Sequence, residues 1–201
     1  STATLPWPTI GTATSINGPI TLYGGTLALD AALTTTNTST GDLSLNGTTL
    51  SGASTLTVAT GRTLTMNLSS NTNYTGAISG TGLNFVKDGA GTLTLPTPTS
   101  LSFAAMTISA GGYKLNPTQQ LTLSGALTNN GTFTMKSGAS FVQATSGTSI
   151  SGTGTYNVEK ALSDNSPTWT TTSGRFWYMG VPMVSVARSS YGTSGATTNR
   201  V

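Results

Sequence analysis

Apolar and polar residues alternate in short runs along most of the chain. The runs "DLSLNG", "RTLTMNL" and "GTLTL" each place apolar side chains two positions apart, as in Leu43 and Leu45. Such alternation is typical of a β-strand that buries one of its faces. Similar pairs recur as far as Tyr156 and Val158. The pattern therefore predicts an all-β chain made of many strands of about three to five residues.

The spacing of these pairs favours one β architecture over another. Successive pairs lie about six to ten residues apart, and most breaks between them are single Gly or Ser-Gly steps. Asn46-Gly47 and Asn130-Gly131 are suitable hairpin turns, but a sandwich needs longer strands. Short strands joined by small corner residues predict a parallel β-solenoid (right-handed β-helix) with two or three strands and roughly 20 residues in each coil. We expect its Thr and Asn rows to face outward or line the corners.

Composition narrows the possible functions. Charged residues make up only 6% of the chain, against about 25% in typical soluble domains. Thr, Ser, Asn and Gly take their place, and the hydrophobic fraction of 35% exceeds that of a charge-rich disordered chain. The net charge is +3, but Lys87, Lys114, Lys136 and Lys160 stand apart from one another. Phosphate backbones are bound by concentrated basic surfaces, so we expect no nucleic-acid partner.

The residues that carry most enzyme chemistry are scarce. The chain contains no His and no Cys, which excludes disulfides, Ser-His-Asp triads and the usual zinc ligands. No two acidic residues lie within four positions of each other, so we interpret each as a turn or surface residue; they are Asp30, Asp42, Asp88, Glu159 and Asp164. We predict no catalytic residue, no metal and no cofactor, hence no enzyme. No apolar stretch approaches about 20 residues, and we expect no membrane span.

Residues 85–115 carry a more specific pattern, "FVKDGAGTLTLPTPTSLSFAAMTISAGGYKL". The stretch resembles the autotransporter-associated β-strand repeat of passenger domains in bacterial surface proteins. The matching positions are Phe85, Lys87, Gly89, Gly91, Leu93, Leu95, Ile108, Gly111 and Leu115. Its spacer, "PTPTSLSFAAM", lacks the usual Asn-Tyr-Thr-Gly, and Gly112-Tyr113 replaces Thr-Leu. "FAAM" within that spacer is too short to form a helix alone.

The C-terminal third carries a second resemblance. It reads "LTNNGTFTMKSGASFVQATSGTSISGTGTYNVEKAL", followed by "GRFWYMGVPM". This segment is similar to secreted, adhesin-like surface proteins of the Bacteroidota that are cargo of the type IX secretion system. The resemblance implies a location outside the cell, at the cell surface, and implies no reaction.

The regular alternation stops after Ala161, which divides the chain in two. We predict a β-solenoid over residues 1–161, and over 162–201 an aromatic-rich C-terminal cap or the first strands of a following β-sandwich. Aromatic side chains anchor interfaces and plug open ends. The candidate interface or cap residues are Trp7, Trp169, Phe176, Trp177, Tyr178 and Met179.

Together these observations predict a non-catalytic, extracellular structural or adhesin-like module. The alternative is a self-assembling filament subunit, because the ends of a solenoid present unpaired strand edges. Ice binding and a carbohydrate-active solenoid come third; Thr-X-Thr runs begin at positions 55, 63, 92 and 132, at irregular spacing. We expect the partners to be neighbouring domains of a longer chain or copies of the chain, with surface glycans as a further candidate.

Overall fold

The chain winds into a stack of parallel coils. In a computed structural model, which describes residues 9–96, 100–145 and 148–159, there are 22 strands, and the described residues contain no helix. All strand pairs are parallel, as between Leu43–Asn46 and Thr63–Asn67. Each of seven coils adds one strand to each of three faces, and the last strand starts an eighth coil. The predicted all-β solenoid is confirmed, and parallel pairing rules out a sandwich of hairpins over the described residues.

Each face contains every third strand of the chain. Face 1 contains β1 (Thr9–Ile10), β4 (Thr26–Leu29), β7 (Thr49–Gly52), β10 (Thr72–Asn73), β13 (Thr92–Thr94), β16 (Gly112–Leu115), β19 (Thr132–Met135) and β22 (Thr155–Val158). Face 2 contains β2 (Thr14–Ile16), β5 (Leu33–Thr35), β8 (Leu56–Thr57), β11 (Ile78–Ser79), β14 (Ser100–Phe103), β17 (Gln120–Leu123) and β20 (Ser140–Gln143). Face 3 contains β3 (Ile20–Tyr23), β6 (Leu43–Asn46), β9 (Thr63–Asn67), β12 (Asn84–Asp88), β15 (Ala105–Ile108), β18 (Leu127–Asn129) and β21 (Ile150–Ser151).

The three faces differ in continuity. Face 3 is one sheet of seven strands, whereas the hydrogen-bonded ladder of face 1 is interrupted between β7 and β10. The ladder of face 2 is interrupted between β11 and β14. Both interruptions border coil 4, whose strands β10 and β11 have only two residues each. Coil 4 is therefore joined to both neighbouring coils by an unbroken ladder on face 3 alone.

The length of a coil is close to the predicted one. Strand partners lie between 19 positions apart, as in Thr9 and Ala28, and 23 positions apart, as in Ile20 and Leu43. Small residues are required where coils touch at the corners. Gly52 has a φ of +93°, and a Cβ there would lie 2.2 Å from the carbonyl oxygen of Leu29. Only glycine allows that backbone conformation and that approach.

The alternating apolar side chains fill a narrow interior. One inward column on face 3 runs through Leu22, Leu45, Met66, Lys87, Ile108 and Asn129. The outward neighbours are mostly small hydroxyl residues, as predicted, and Thr57 Oγ1 lies 3.1 Å from Ser79 Oγ. Thr35 and Asn129 are exceptions, because both are buried in the interior. The prediction that Thr and Asn rows all face outward or line corners is corrected at these positions.

"FAAM" is confirmed as non-helical. Strand β14 ends at Phe103 and β15 begins at Ala105, so the chain turns a corner between them. The 160–201 segment, with the predicted cap or sandwich, lies outside the described residues. The handedness of the solenoid also stays a prediction.

Candidate functional site

The residues predicted to form an interface or a cap fall outside the part of the chain that the structure describes. These residues are Trp7, Trp169, Phe176, Trp177, Tyr178 and Met179. The charged residues, the buried polar residues and the surface grooves of the solenoid are therefore the places where a site can be sought.

An ion pair lies at the long corner between β5 and β6. Arg62 Nε and Nη2 each donate to an oxygen of the Asp42 carboxylate at 2.9 Å, and Arg62 Nη1 donates to the carbonyl oxygen of Ser39 at 2.8 Å. The backbone N–H of Thr63 donates to the same carboxylate at 2.8 Å. The hydrogen bond from Arg62 is the main reason that the pKa of Asp42 lies below its usual value. These contacts fasten the loop between β5 and β6 to the next coil.

Lys87 is the residue whose environment departs furthest from the expectation. Its side chain is fully buried, and Nζ donates to the carbonyl oxygens of Asp88 at 2.6 Å, Gly89 at 2.9 Å and Ala110 at 3.3 Å. Burial lowers its pKa to about 8, against a smaller opposing effect of the Asp88 charge. A lysine with a lowered pKa is a candidate nucleophile. Here the amine is enclosed and donates to three main-chain oxygens, so its geometry is that of a structural tie.

The remaining described carboxylates are spread over the solenoid. Asp30 follows β4, Asp88 ends β12 on face 3, and Glu159 accepts a hydrogen bond from Lys136. Within residues 9–96, 100–145 and 148–159, no group of three or more His, Cys, Asp or Glu side chains converges as a metal site would require.

The four Thr-X-Thr runs named above are distributed over all three faces. The run at 55–57 reaches β8 on face 2, 63–65 lies on β9 of face 3, and 92–94 and 132–134 lie on β13 and β19 of face 1. Between the last two stands β16, with Gly112 and Lys114 at the matching positions. Ice-binding surfaces of this kind would need adjacent runs, so the four runs do not combine into one array.

Face 2 contains an open recess among the described residues. It has a volume of about 490 Å³ and lies where the ladder between β11 and β14 is interrupted. We call it the side groove; its lining is Ile78, Ser79, Gly80, Thr81, Gly82, Ser100, Ser102, Phe103, Ala104 and Ser124. The lining contains five hydroxyl side chains and no ionisable one.

The side groove and the buried tie of Lys87 were not predicted from the sequence. Lys87 follows Phe85 by two positions, and this alternation places both on the inward face of a strand. The sequence thus carried a signal for the burial of Lys87. The groove forms because β11, which contains Ile78, does not pair with β14, which contains Leu101. A local sequence pattern does not specify whether strands 23 positions apart pair across coils.

No family model, curated protein or solved structure matches the chain. The class that the structure defines is therefore that of its fold, a three-faced parallel β-solenoid. The resemblances to autotransporter-associated repeats and to type IX-secreted surface proteins stay predictions. Among the described residues, no helix is long and apolar enough to cross a membrane.

Proposed function

We propose that the chain is a non-catalytic structural module of an extracellular, adhesin-like protein, in which it acts as a rod between other domains or copies. The observation that carries the proposal is the unbroken seven-strand sheet of face 3. Six steps between strands at about 4.8 Å give this sheet a length of about 29 Å. Parallel strands bonded in register along that length resist bending and stretching.

The surface chemistry supports the same proposal. The central outward column of face 3 contains only small residues, in the order Thr21, Ser44, Thr65, Val86, Thr107, Thr128 and Ser151. Two of the four described carboxylates, Asp42 and Glu159, are engaged with cations. Such a surface offers proteases few Lys or Arg sites and offers a substrate few acid or base groups.

Location is the property that tests the proposal most directly. Intact cells of the source organism would be treated with proteinase K, and the chain would be followed with an antibody raised against residues 9–159. We expect the antibody to label unbroken cells and the signal to be lost on proteolysis, while a cytoplasmic control protein survives. A signal protected until the cells are lysed would contradict an extracellular role.

A second function, end-to-end self-assembly, is favoured by the two ends of the described stack. Ile16, Ile20 and Leu22 in the first coil are only partly buried, as are Phe141 and Ile150 in the seventh. Apolar residues that are half covered, beside strand edges that have no partner among residues 9–159 as described, are suited to adding a parallel coil from another copy.

Sedimentation at increasing concentration separates this function from the first. A rod module stays monomeric, whereas a filament subunit forms species of rising mass. If filaments form, Tyr23→Lys on the edge strand β3, where Tyr23 is 71% exposed, should suppress them. Thr107→Lys in the middle of face 3 is the matched control and should leave them intact.

A further inference from the structure

We propose that the side groove is a binding site for a neutral, hydroxyl-rich oligosaccharide. The inference deepens the proposed function, on which it rests, by assigning a ligand class to one face of an extracellular module.

The groove begins with a local failure of strand pairing. Coils 4 and 5 are bonded in register on face 1, through Thr72 and Leu93, and on face 3, through Asn84 and Ala105. On face 2 the same two coils supply β11 and β14, which end separate ladders. The main-chain groups on the two facing edges thus have no partner strand. Main-chain N–H and C=O groups that are buried or half-buried require hydrogen-bond partners. Those on the two facing edges are therefore available to bind a polar ligand or water.

The interruption on face 1, between β7 and β10, shows that a broken ladder need not leave an open groove. There Tyr74 donates its phenol hydrogen to the carbonyl oxygen of Ser54, and Thr75 Oγ1 donates to that of Gly52 at 2.9 Å. Side chains of coil 4 therefore reach across to coil 3 in place of ladder bonds. Across the side groove, no side-chain hydrogen bond joins the described residues of β11 and β14. One backbone bond, from Ala104 N to Leu83 O at 2.7 Å, closes its end.

The lining chemistry indicates the kind of ligand. Thr81, Ser100, Ser102 and Ser124 are exposed, and a hydroxyl group both donates and accepts hydrogen bonds. Sugar hydroxyls have the same dual capacity. Because no charged side chain lines the groove, a phosphate, a carboxylate or an amine would lose hydration without gaining a counter-ion. A volume of about 490 Å³ falls within the range of small-ligand sites.

An added β-strand fits less well than a saccharide. Two strands that hold a third between them lie about 9.6 Å apart, twice the usual strand spacing. Cα atoms of β11 and β14 approach within 8 Å, so there is no room for a complete strand between them. Individual hydroxyl groups of a sugar can enter such a gap, while the ring remains over the exposed serines.

The test uses the purified chain and four neutral hexasaccharides: maltohexaose, cellohexaose, mannohexaose and xylohexaose. Binding is measured by calorimetry, and the affected backbone amides are mapped by NMR. We expect at least one probe to bind and to shift the amide signals of residues 78–82 and 100–104. Failure of every probe at millimolar concentration, or shifts on another face, would overturn the proposal. Stronger binding of a neutral Ser-Gly hexapeptide would overturn it in favour of a peptide site.

Matched variants locate the binding. Ser102→Tyr places a ring in the groove, whereas Thr122→Tyr changes the register partner of Ser102, one coil further on and outside the lining. We expect the first to weaken binding at least tenfold and the second less than twofold, with thermal unfolding checked for both. Ser124→Tyr replaces the first variant if that one does not fold. Equal binding by the groove variant and its control would contradict the assignment.

The outcomes also separate the two proposals. A surface-exposed chain that binds no probe retains the rod function and loses the groove. A chain found inside the cell that binds a probe through residues 78–82 loses the extracellular function and retains the groove.

Discussion

The lower coils, residues 9–67, and the upper coils, residues 84–151, use different side chains to build the same three-faced stack. The fully buried interior of the lower coils is mainly leucine, such as Leu27, Leu45 and Leu56. From Phe85 upward, aromatic rings pack among the leucines, with ring centroids 5.0 Å apart for Phe85 and Phe103 and 6.1 Å apart for Tyr113 and Phe133. The backbone architecture thus tolerates either packing, provided that every second residue is apolar.

The corners differ between the two regions as well. The long corner of the lower coils is held from outside by Asp42 and Arg62, whose side chains are 41% and 25% exposed. One buried hydroxyl, that of Thr35, also holds this corner from inside, by donating to the carbonyl oxygen of Gly41 at 2.9 Å. The corners above are held from inside by buried polar groups: Lys87, Gln119, which donates to the carbonyl oxygen of Leu95, and Asn129, which donates to that of Thr155. Exposed ion pairs contribute little and are screened by salt, whereas a buried donor is costly to remove. The two regions should therefore respond differently to substitution, pH and salt.

The largest effect is expected from removing Phe85, the first of the interior rings that pack against one another. We call this group the aromatic column; it contains Phe85, Phe103, Tyr113 and Phe133. Phe85→Ala should lower the free energy of unfolding by about 4 kcal/mol, because Phe85 is fully buried and contacts two further rings. Urea denaturation measures the change. Leu45→Ala is the matched variant in the lower coils and should cost about 3 kcal/mol. A loss below about 1 kcal/mol for Phe85→Ala would show that the aromatic column does not stabilise the upper coils.

These buried positions could be predicted from the sequence because burial in a solenoid follows local alternation. Leu43 and Leu45, Leu64 and Met66, and Leu121 and Leu123 are all buried as the pattern predicts. The near-20-residue coil also followed from spacing. The interruption between β11 and β14 could not be predicted from the sequence, because pairing between coils depends on the summed lengths of the corners along the chain. Candidate sites predicted from aromatic content lie outside the described residues and stay predictions.

The second prediction concerns the internal tie of Lys87. Its pKa is lowered to about 8 by burial, so the unfolded chain binds more protons than the folded one above that pH. The free energy of unfolding should consequently rise by about 2 kcal/mol between pH 8 and pH 10. Burial raises the pKa of Tyr74 to about 12 and also raises that of Tyr113 and Tyr156. Ionisation of these tyrosines in the unfolded chain therefore opposes folding from about pH 10 upward and reduces the rise at the upper end of this window.

Lys87→Met is the control for this pH dependence. Methionine fills the same column, next to Met66 and Ile108, but carries no titrating group. We expect no rise in the urea midpoint of the variant between pH 8 and pH 10. The same rise in both proteins would assign the effect to other groups.

A smaller effect is expected from the external clamp of the lower coils. Asp42→Asn keeps an acceptor for the N–H of Thr63 but removes the charge, and should cost about 1 kcal/mol or less at pH 7. Because the pKa of Asp42 is lowered by Arg62, its contribution is present above the ordinary pKa and is lost as the pH falls through the lowered value. Wild type and variant should therefore converge in acid, and also in 1 M salt. A difference that persists in acid would contradict a role for the charge.

The smallest effect tests whether the outward hydroxyl columns contribute to the stack at all. Thr65 on face 3 has Ser44 and Val86 as its register partners, and the latter already lacks a hydroxyl. Thr65→Val should change the free energy of unfolding by less than about 0.5 kcal/mol, because valine matches threonine in shape and strand preference. Thermal unfolding measures this difference. A loss above 1 kcal/mol would mean that hydroxyl pairs along the face, rather than the interior, hold the coils in register; the rigidity of the rod would then reside in its surface.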